Sequence, residues 1–404
     1  MQPARPVPSF PAGTPSPIQG APPLPSVTIN VKDYPALDKV PPTDSEMVKD
    51  WLKKIDLTKA PAIKPTGKDG CDNTTFNADQ IAKAGPTGNC WWTCGGCTRE
   101  GDVAFCPNKG TWGASFDDGP SESTPALLDY LDQENLKATF FVVGSRAISH
   151  PEILQAEYMT SHQICIHTWS HSSLTTLTNE QIVSELAWTM KALKDILGVT
   201  PTCVRPPYGD YDDRTRYIFK EMGLTAYVWT IGSAGPFDSN DWKVVSGSAT
   251  PSESVNAFQK ILTTQTALPS GFIVLAHDIY EKSVALSINA FLPSALKTAG
   301  MKVQSIATCL GLSPGQTYFE TSKLPTPDPP APETTESNKN SGHDSTRNTP
   351  PPPKNQNNEN GNFEKNTSTS NTPYTGPYTT GWKMSLIFTN LFIAMLLSSQ
   401  HFGI

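Results

Sequence analysis

Five short clusters in this chain carry the residue types that hydrolytic chemistry uses. The first, Ser115-Phe116-Asp117-Asp118-Gly119-Pro120, sets two adjacent acids between apolar residues and a Gly-Pro turn. Neighbouring carboxylates ionise together only when a cation or a donor compensates them. Taken alone, Asp-Asp-Gly-Pro is equally the composition of a turn with a helix cap. The second cluster is His167-Thr168-Trp169-Ser170-His171. Histidines four apart share one face of a helical turn, a spacing that suits a metal and also a hydrogen-bonded structural pair. With Asp118 they make an Asp-His-His set with open coordination positions, as a catalytic divalent metal requires, and Asp117 stays free to act as a base. In the third, Arg205-Pro206-Pro207-Tyr208-Gly209, the guanidinium can fix a carboxylate by two bonds, and the rigid Pro-Pro lets a backbone N–H point at a ligand. The fourth is Asp238-Ser239-Asn240-Asp241-Trp242 and the fifth Val274-Leu275-Ala276-His277-Asp278. By itself, a lone histidine such as His277 is more often structural than catalytic.

Each cluster closes an apolar stretch, so strands are expected to position them. Residues 110–119 end a short strand, 124–135 read as a helix, and 137–144 form a continuous apolar run suited to a buried strand. Residues 179–197 place Ile182, Leu186, Met190, Leu193 and Leu197 at helical steps, with Gly198 as the stop. Further strands are expected at 202–204, 225–231, 271–276 and 302–305, with helices at 213–222, 252–265 and 283–298. Strands alternating with helices imply βαβ units and a parallel sheet, open or closed as a barrel, with polar clusters gathered at strand C-terminal ends. Residues 232–237 separate the fourth cluster from its strand as an insertion.

Of the 404 residues 38 are proline, nine of them in residues 1–25 and twelve in 314–383. A folded block is therefore expected between two arms. Thirty-one Lys and Arg against 38 Asp and Glu give a net charge of −7. The basic residues are scattered, which excludes a basic field for nucleic acid. The eight cysteines are Cys71, Cys90, Cys94, Cys97, Cys106, Cys165, Cys203 and Cys309. Their spacing lacks the paired knuckles of a zinc ribbon, so disulfides in an exported protein are expected instead. Residues 384–404 are mostly apolar, without Lys, Arg, Asp or Glu, and follow a spacer beginning near Ser370. That pattern fits a GPI-attachment signal better than a transmembrane helix. No signal peptide is visible at the N-terminus, and the expectation is that the true start lies elsewhere. Asn73 and Asn366 stand in glycosylation sequons.

In this order and over this distance, the five clusters resemble the polysaccharide deacetylase family, the NodB-homology carbohydrate esterases, across residues 108–312. Trp91-Trp92, His167 to His171, Arg205 to Tyr211 and Cys309-Leu310-Gly311 are most similar to fungal chitin deacetylases. The resemblance implies an α/β fold, a distorted (β/α) barrel with an N-terminal cysteine-rich extension. It implies Asp117 as catalytic base, Asp118, His167 and His171 as metal ligands, and Arg205 as the partner of Asp117. By the same resemblance the Tyr208 backbone N–H serves an oxyanion hole, Asp241 orients the general acid His277, and Trp242 and Leu275 line the acetyl pocket. It also suggests a Cys106–Cys309 disulfide. Cys165 and Ile166 depart from the small polar pair usual before the first histidine, and Cys165 is either a buried free thiol or the partner of Cys203.

The expected organisation is a disordered arm at 1–26, a cysteine-containing lead-in at 27–107, a catalytic domain at 108–312, a linker at 313–383 and a removed signal at 384–404. The expected activity is hydrolysis of chitin N-acetyl groups to chitosan and acetate, with zinc or cobalt, at the cell wall and on the outer face of the plasma membrane through a GPI anchor. Other readings are a deacetylase of xylan or peptidoglycan, and a wall-binding protein on an inactive scaffold. The intact Asp117, Asp118, His167, His171 and His277 argue against the last.

Overall fold

A computed structural model describes residues 6–26 and 29–323. The lead-in carries two helices, α1 at Glu46–Lys54 and α2 at Ala78–Ala82. The Ser45 side chain accepts from the Val48 N–H at the start of α1, supplying one of the bonds a helix N-terminus lacks.

The chain from 111 to 117 is nearly one strand but serves two sheets. Its first half, β1 at Thr111–Gly113, lies between β9 at Phe272–Ile273 and β10 at Lys302–Gln304. After Ala114 the second half, β2 at Ser115–Asp117, pairs with β3 at Thr139–Val142. β4 at Gln163–Ile166, β5 at Cys203–Val204 and β6 at Thr225–Ala226 extend that sheet, and every pair in both sheets is parallel. All residues of β1 to β4 are buried, which is why these segments read as continuous apolar runs instead of alternating. The far edges meet through single bonds. Val103 N–H donates to Ala226 O at 2.8 Å, Val228 N–H to Val103 O at 2.8 Å, and Thr230 N–H to Ile273 O at 3.1 Å. The result is the distorted α/β barrel expected, held at that side by individual bonds and not by a regular ladder.

Helices cover the outside. α3 at Thr124–Gln133 follows β2, and α4 at Gly144–Ser149 and α5 at Pro151–Met159 follow β3. α6 runs Asn179–Leu197, as the apolar spacing requires, between a Thr178/Gln181 capping box and Gly198 at φ 80°. α1 packs on it. α7 at Asp213–Glu221 follows β5. Beyond β6 the insertion is an antiparallel hairpin, β7 at Ile231–Gly232 and β8 at Gly235–Pro236. α8 at Asp241–Val245 and α9 at Pro251–Thr264 precede β9. The helix expected over 283–298 is divided into α10 at Glu281–Leu286, a π-helical turn at Ser287–Phe291 and α11 at Leu292–Lys297. Pro293 has no N–H to give to the ladder, so the regular bonding cannot run through it. α12 at Ile306–Cys309 ends the barrel.

Two boundaries differ from expectation. Residues 6–26 are packed and not free, with Ile18 and Leu24 5% and 2% exposed. Leu24 N–H donates to Thr14 O and Gly13 N–H to Leu24 O, each at 2.9 Å, across a proline-rich turn, and Ser16 bonds the Tyr158 hydroxyl. Proline loses little backbone freedom on folding, so a few apolar anchors suffice to hold such a segment. At the other end the fold continues past 313, where Tyr318 is buried and bridges Pro201. All eight cysteines are paired: Cys71–Cys94, Cys90–Cys97, Cys106–Cys309 and Cys165–Cys203. Cys165 is therefore bonded and not a free thiol, and no cysteine is left for a zinc ribbon. Asn366, Ser370, most of the 313–383 linker and the 384–404 segment lie outside the described residues. Among the described residues no helix is long and apolar enough to cross a membrane.

Candidate active site

The polar clusters meet at the C-terminal ends of the parallel strands, where chains leave the sheet and side chains escape the packed interior. Asp117 ends β2, His167 follows β4 directly, and Arg205 follows β5. His277 lies four residues beyond β9 and forms an isolated parallel bridge with Asp117. Asp117 N–H donates to Ala276 O at 3.0 Å and Asp278 N–H to Asp117 O at 3.1 Å. Residues 160 positions apart are thus neighbours.

Asp118, His167 and His171 offer ligand atoms that all lie within 4.8 Å of one another. Asp118 Oδ1 is 3.3 Å from His167 Nε2 and 3.0 Å from His171 Nε2. That oxygen is buried and has no hydrogen bond of acceptable geometry. His167 Nδ1 lies 2.7 Å from the Arg205 carbonyl, which can only accept, so Nδ1 carries the proton and Nε2 presents its lone pair. Burial favours the neutral form of His171 and pulls its pKa below the ordinary value, against the Asp118 charge. Burial opposes ionisation of Asp118, yet the two histidines hold its pKa well below the carboxylate range. An anion and two imidazole lone pairs aimed at one point fit a divalent cation.

The histidine pair does not sit on a helical turn. Residues 167–171 form a loop in which Thr168 and His171 adopt left-handed φ of 64° and 57°. Glu185 of α6 holds that loop, accepting from the N–H groups of Trp169 at 2.8 Å and Ser170 at 2.9 Å and from the Ser170 hydroxyl. Arg146 of α4 donates to the Asp118 carbonyl at 2.7 Å. Neither residue stands out by motif. The available signal for Glu185 was a charge set on the face of α6 that the apolar residues bury.

Arg205 is fully buried, stacks 3.8 Å over the Phe141 ring, and donates from Nη1 to Asp117 Oδ1 at 2.5 Å. This is one bond, not the two-bond fork expected, and Nε and Nη2 have no hydrogen-bond partner. On the other side of the site, the 231–236 hairpin leaves and rejoins its strand line: Phe237 N–H returns to Thr230 O at 2.8 Å, and Asp238 bridges Leu275. The insertion therefore delivers Asp241, which is fully buried, to His277. Asp241 Oδ1 is 2.8 Å from His277 Nδ1 and Oδ2 accepts from the His277 backbone at 2.8 Å. Burial alone would lower the His277 pKa. The Asp241 carboxylate outweighs it, with Asp118 and Asp117 adding, and the pKa is pushed up to about 10. Asp278, next in the chain, accepts from Gly119 N–H at 3.0 Å and the Thr124 hydroxyl at 2.5 Å. Burial raises its pKa to about 7, helped by the Asp118 and Asp117 charges.

Tyr208 has φ 59° and ψ 9°, a left-handed backbone, and its half-exposed ring lies 4.7 Å from that of His171. Trp242 is partly exposed, with Nε1 donating to Asp238 at 3.2 Å, and Leu275 is buried.

Comparison with known proteins gives this geometry a lineage. Residues 105–227 match the Polysaccharide deacetylase family. Chitin deacetylase 1 of Cryptococcus neoformans var. grubii is 52% identical over 319 residues, covering 78% of this chain and 66% of that protein. A chitin deacetylase of Amylomyces rouxii is 34% identical over 308 residues, covering 72% of this chain and 69% of that one. The chain thus spans about two thirds of the length of these relatives. Among solved structures, the chitin deacetylase of Colletotrichum lindemuthianum shares 27% identity, with 55% of this chain and 97% of that one covered and a TM-score of 0.49. On these sequence relationships the chain belongs to the polysaccharide deacetylase family.

Proposed function

We propose that this protein hydrolyses the N-acetyl groups of chitin, releasing acetate and leaving chitosan. The observation that carries the reading is the pair of oriented groups flanking the Asp-His-His set: Asp117 bonded to Arg205, and His277 bonded to Asp241, on strands joined by the Asp117–His277 bridge. Two relatives are named for chitin, which favours that polymer as substrate.

A divalent cation held by Asp118, His167 and His171 would polarise the acetamide carbonyl and acidify water there; zinc suits the donor set and cobalt can replace it. Asp117, steadied by Arg205, takes the proton of the attacking water as its oxygen bonds the acetyl carbon. The oxyanion so formed is met by the Tyr208 backbone N–H. His277, protonated and turned by Asp241, gives its proton to the amide nitrogen as the C–N bond breaks. Acetate and a free amine result, and no serine nucleophile is needed. Trp242 and Leu275 line the acetyl-methyl pocket in this reading.

The chain from 324 to 383 would act as a stalk and 384–404 as a GPI signal with Ser370 at the attachment site, setting the enzyme against the wall on the outer membrane face. The half-buried Asn73, bonded to Lys68 O and Phe76 N–H, and Asn366 are the glycosylation candidates.

Acetate release from chitin oligomers and from acetylxylan, with and without a chelator, tests the function. Release from the chitin oligomers, abolished by chelation and restored by zinc, is expected. Release from acetylxylan alone, or none after metal reloading, would overturn it.

A further inference from the structure

We infer that Asp210 is a positioning residue through which the cysteine-rich lead-in holds the two loops bearing His171 and Tyr208. The inference rests on the deacetylase reading, because the work of the Tyr208 N–H belongs to it.

Asp210 is buried, 3% exposed, and its carboxylate joins three separate stretches of chain. Oδ1 accepts from Trp91 Nε1 at 2.7 Å and Thr93 Oγ1 at 3.0 Å, both in the lead-in. Oδ2 accepts from Ser173 Oγ, from Thr175 N–H at 3.2 Å and from Thr175 Oγ1 at 2.6 Å, all just past His171. Asp210 itself stands two residues past Tyr208. Its contacts include an indole N–H and a backbone N–H, neither of which can accept, so an ionised carboxylate suits the position and an amide does not.

The lead-in also supports the backbone between Tyr208 and Asp210. Tyr208 and Gly209 are both left-handed, at φ 59° and 64°. A side chain at Gly209 would place its Cβ 2.4 Å from Trp92 Cζ3 and 3.0 Å from Trp229 Cη2. Those two indoles meet edge to face at 4.5 Å, and Trp92 N–H donates to Tyr211 O at 3.0 Å. A tyrosine persists in this backbone region only where its surroundings over-determine it. Here they are Trp91 and Trp92, fixed in turn between the half-cystines Cys90 and Cys94 and tied to α7 by Cys90 N–H to Asp213 at 3.0 Å. The cysteine-rich segment thus backs the loop that carries Tyr208 and sets where the Tyr208 N–H points.

The test compares the full zinc-loaded chain with Trp91→Phe, Asp210→Asn and Asp210→Ala. Rates on chitin oligomers are taken per bound metal, together with amide hydrogen exchange over 205–211. Trp91→Phe keeps an aromatic ring and removes one donor. It is expected to lower kcat about tenfold and Asp210→Ala about a hundredfold, the scale of a misplaced catalytic group, with KM within about twofold and full metal content. Exchange over 208–211 should quicken in each variant. If Asp210→Ala does not fold, Trp91→Phe and Asp210→Asn decide. Unchanged kcat per metal in both, with only a lower Tm, makes Asp210 structural and overturns the inference. Unchanged exchange over 208–211 overturns it whatever the activity. A wild-type chain that releases no acetate defeats the deacetylase reading instead, and exchange then decides whether the clamp exists.

Discussion

Asp117 and Asp118 are adjacent in the chain but serve different partners, one facing Arg205 and the other the two histidines. That division separates their variants. Asp117→Asn is expected to lower acetate release by about 10² to 10⁴ while bound metal, measured on dialysed protein, stays full. His167→Ala should lose the metal itself, and full retention would refute its place in the ligand set. His277 is protonated below its pKa, which Asp241 and its neighbours push up to about 10. In Asp241→Asn the largest opposing charge is gone and burial, which favours neutral imidazole, gains weight. The alkaline limb of the kcat/KM profile should then move to lower pH; an unmoved limb means that His277 is not the acid or that Asp241 does not tune it. These residues were legible from sequence because carboxylate and imidazole chemistry is carried by residue type. Glu185, Arg146 and Asp210 were not, since each gains its role only from loops folded against it.

Among the elements, β5 is only two residues long and meets β4 at the single register pair Ile166 and Val204. The Cys165–Cys203 disulfide adds a covalent tie between them, two residues before His167 and two before Arg205. Removing it by Cys165→Ala with Cys203→Ala should cost about 2 to 4 kcal/mol, read as a lower midpoint in denaturant unfolding. α6 was legible to the residue, because capping box, apolar stripe and terminal glycine agree. α4 and α5 were not read at all. α5 buries Ile153, Leu154, Ala156, Glu157 and Tyr158 and shows little periodic contrast, so a pattern of faces does not announce it. The 167–171 loop misleads for the opposite reason: helical spacing is present, and left-handed residues at 168 and 171 break the helix it suggests.

For the whole molecule, composition marked proline-rich ends and a folded middle, yet the boundaries moved outward on both sides. Ile18 and Leu24 anchor the N-terminal segment, and Gly198 leaves room for Pro22 and Pro25 beside α6. Leu24→Ala should therefore destabilise the fold by about 2 to 5 kcal/mol in equilibrium unfolding, whereas a free arm would leave it unchanged. What the sequence determined by itself was local: strand and helix alternation, the five clusters and their residue types, all set by period and composition over a few residues. Tertiary structure alone decided which of these meet. The Asp117–His277 bridge, the return of Asp241 past the 231–236 hairpin, the Cys71–Cys94 and Cys90–Cys97 pairings and the lead-in against Asp210 join residues that the sequence pattern does not pair. Such contacts depend on register, strand length and loop closure, and no short window of sequence contains those quantities.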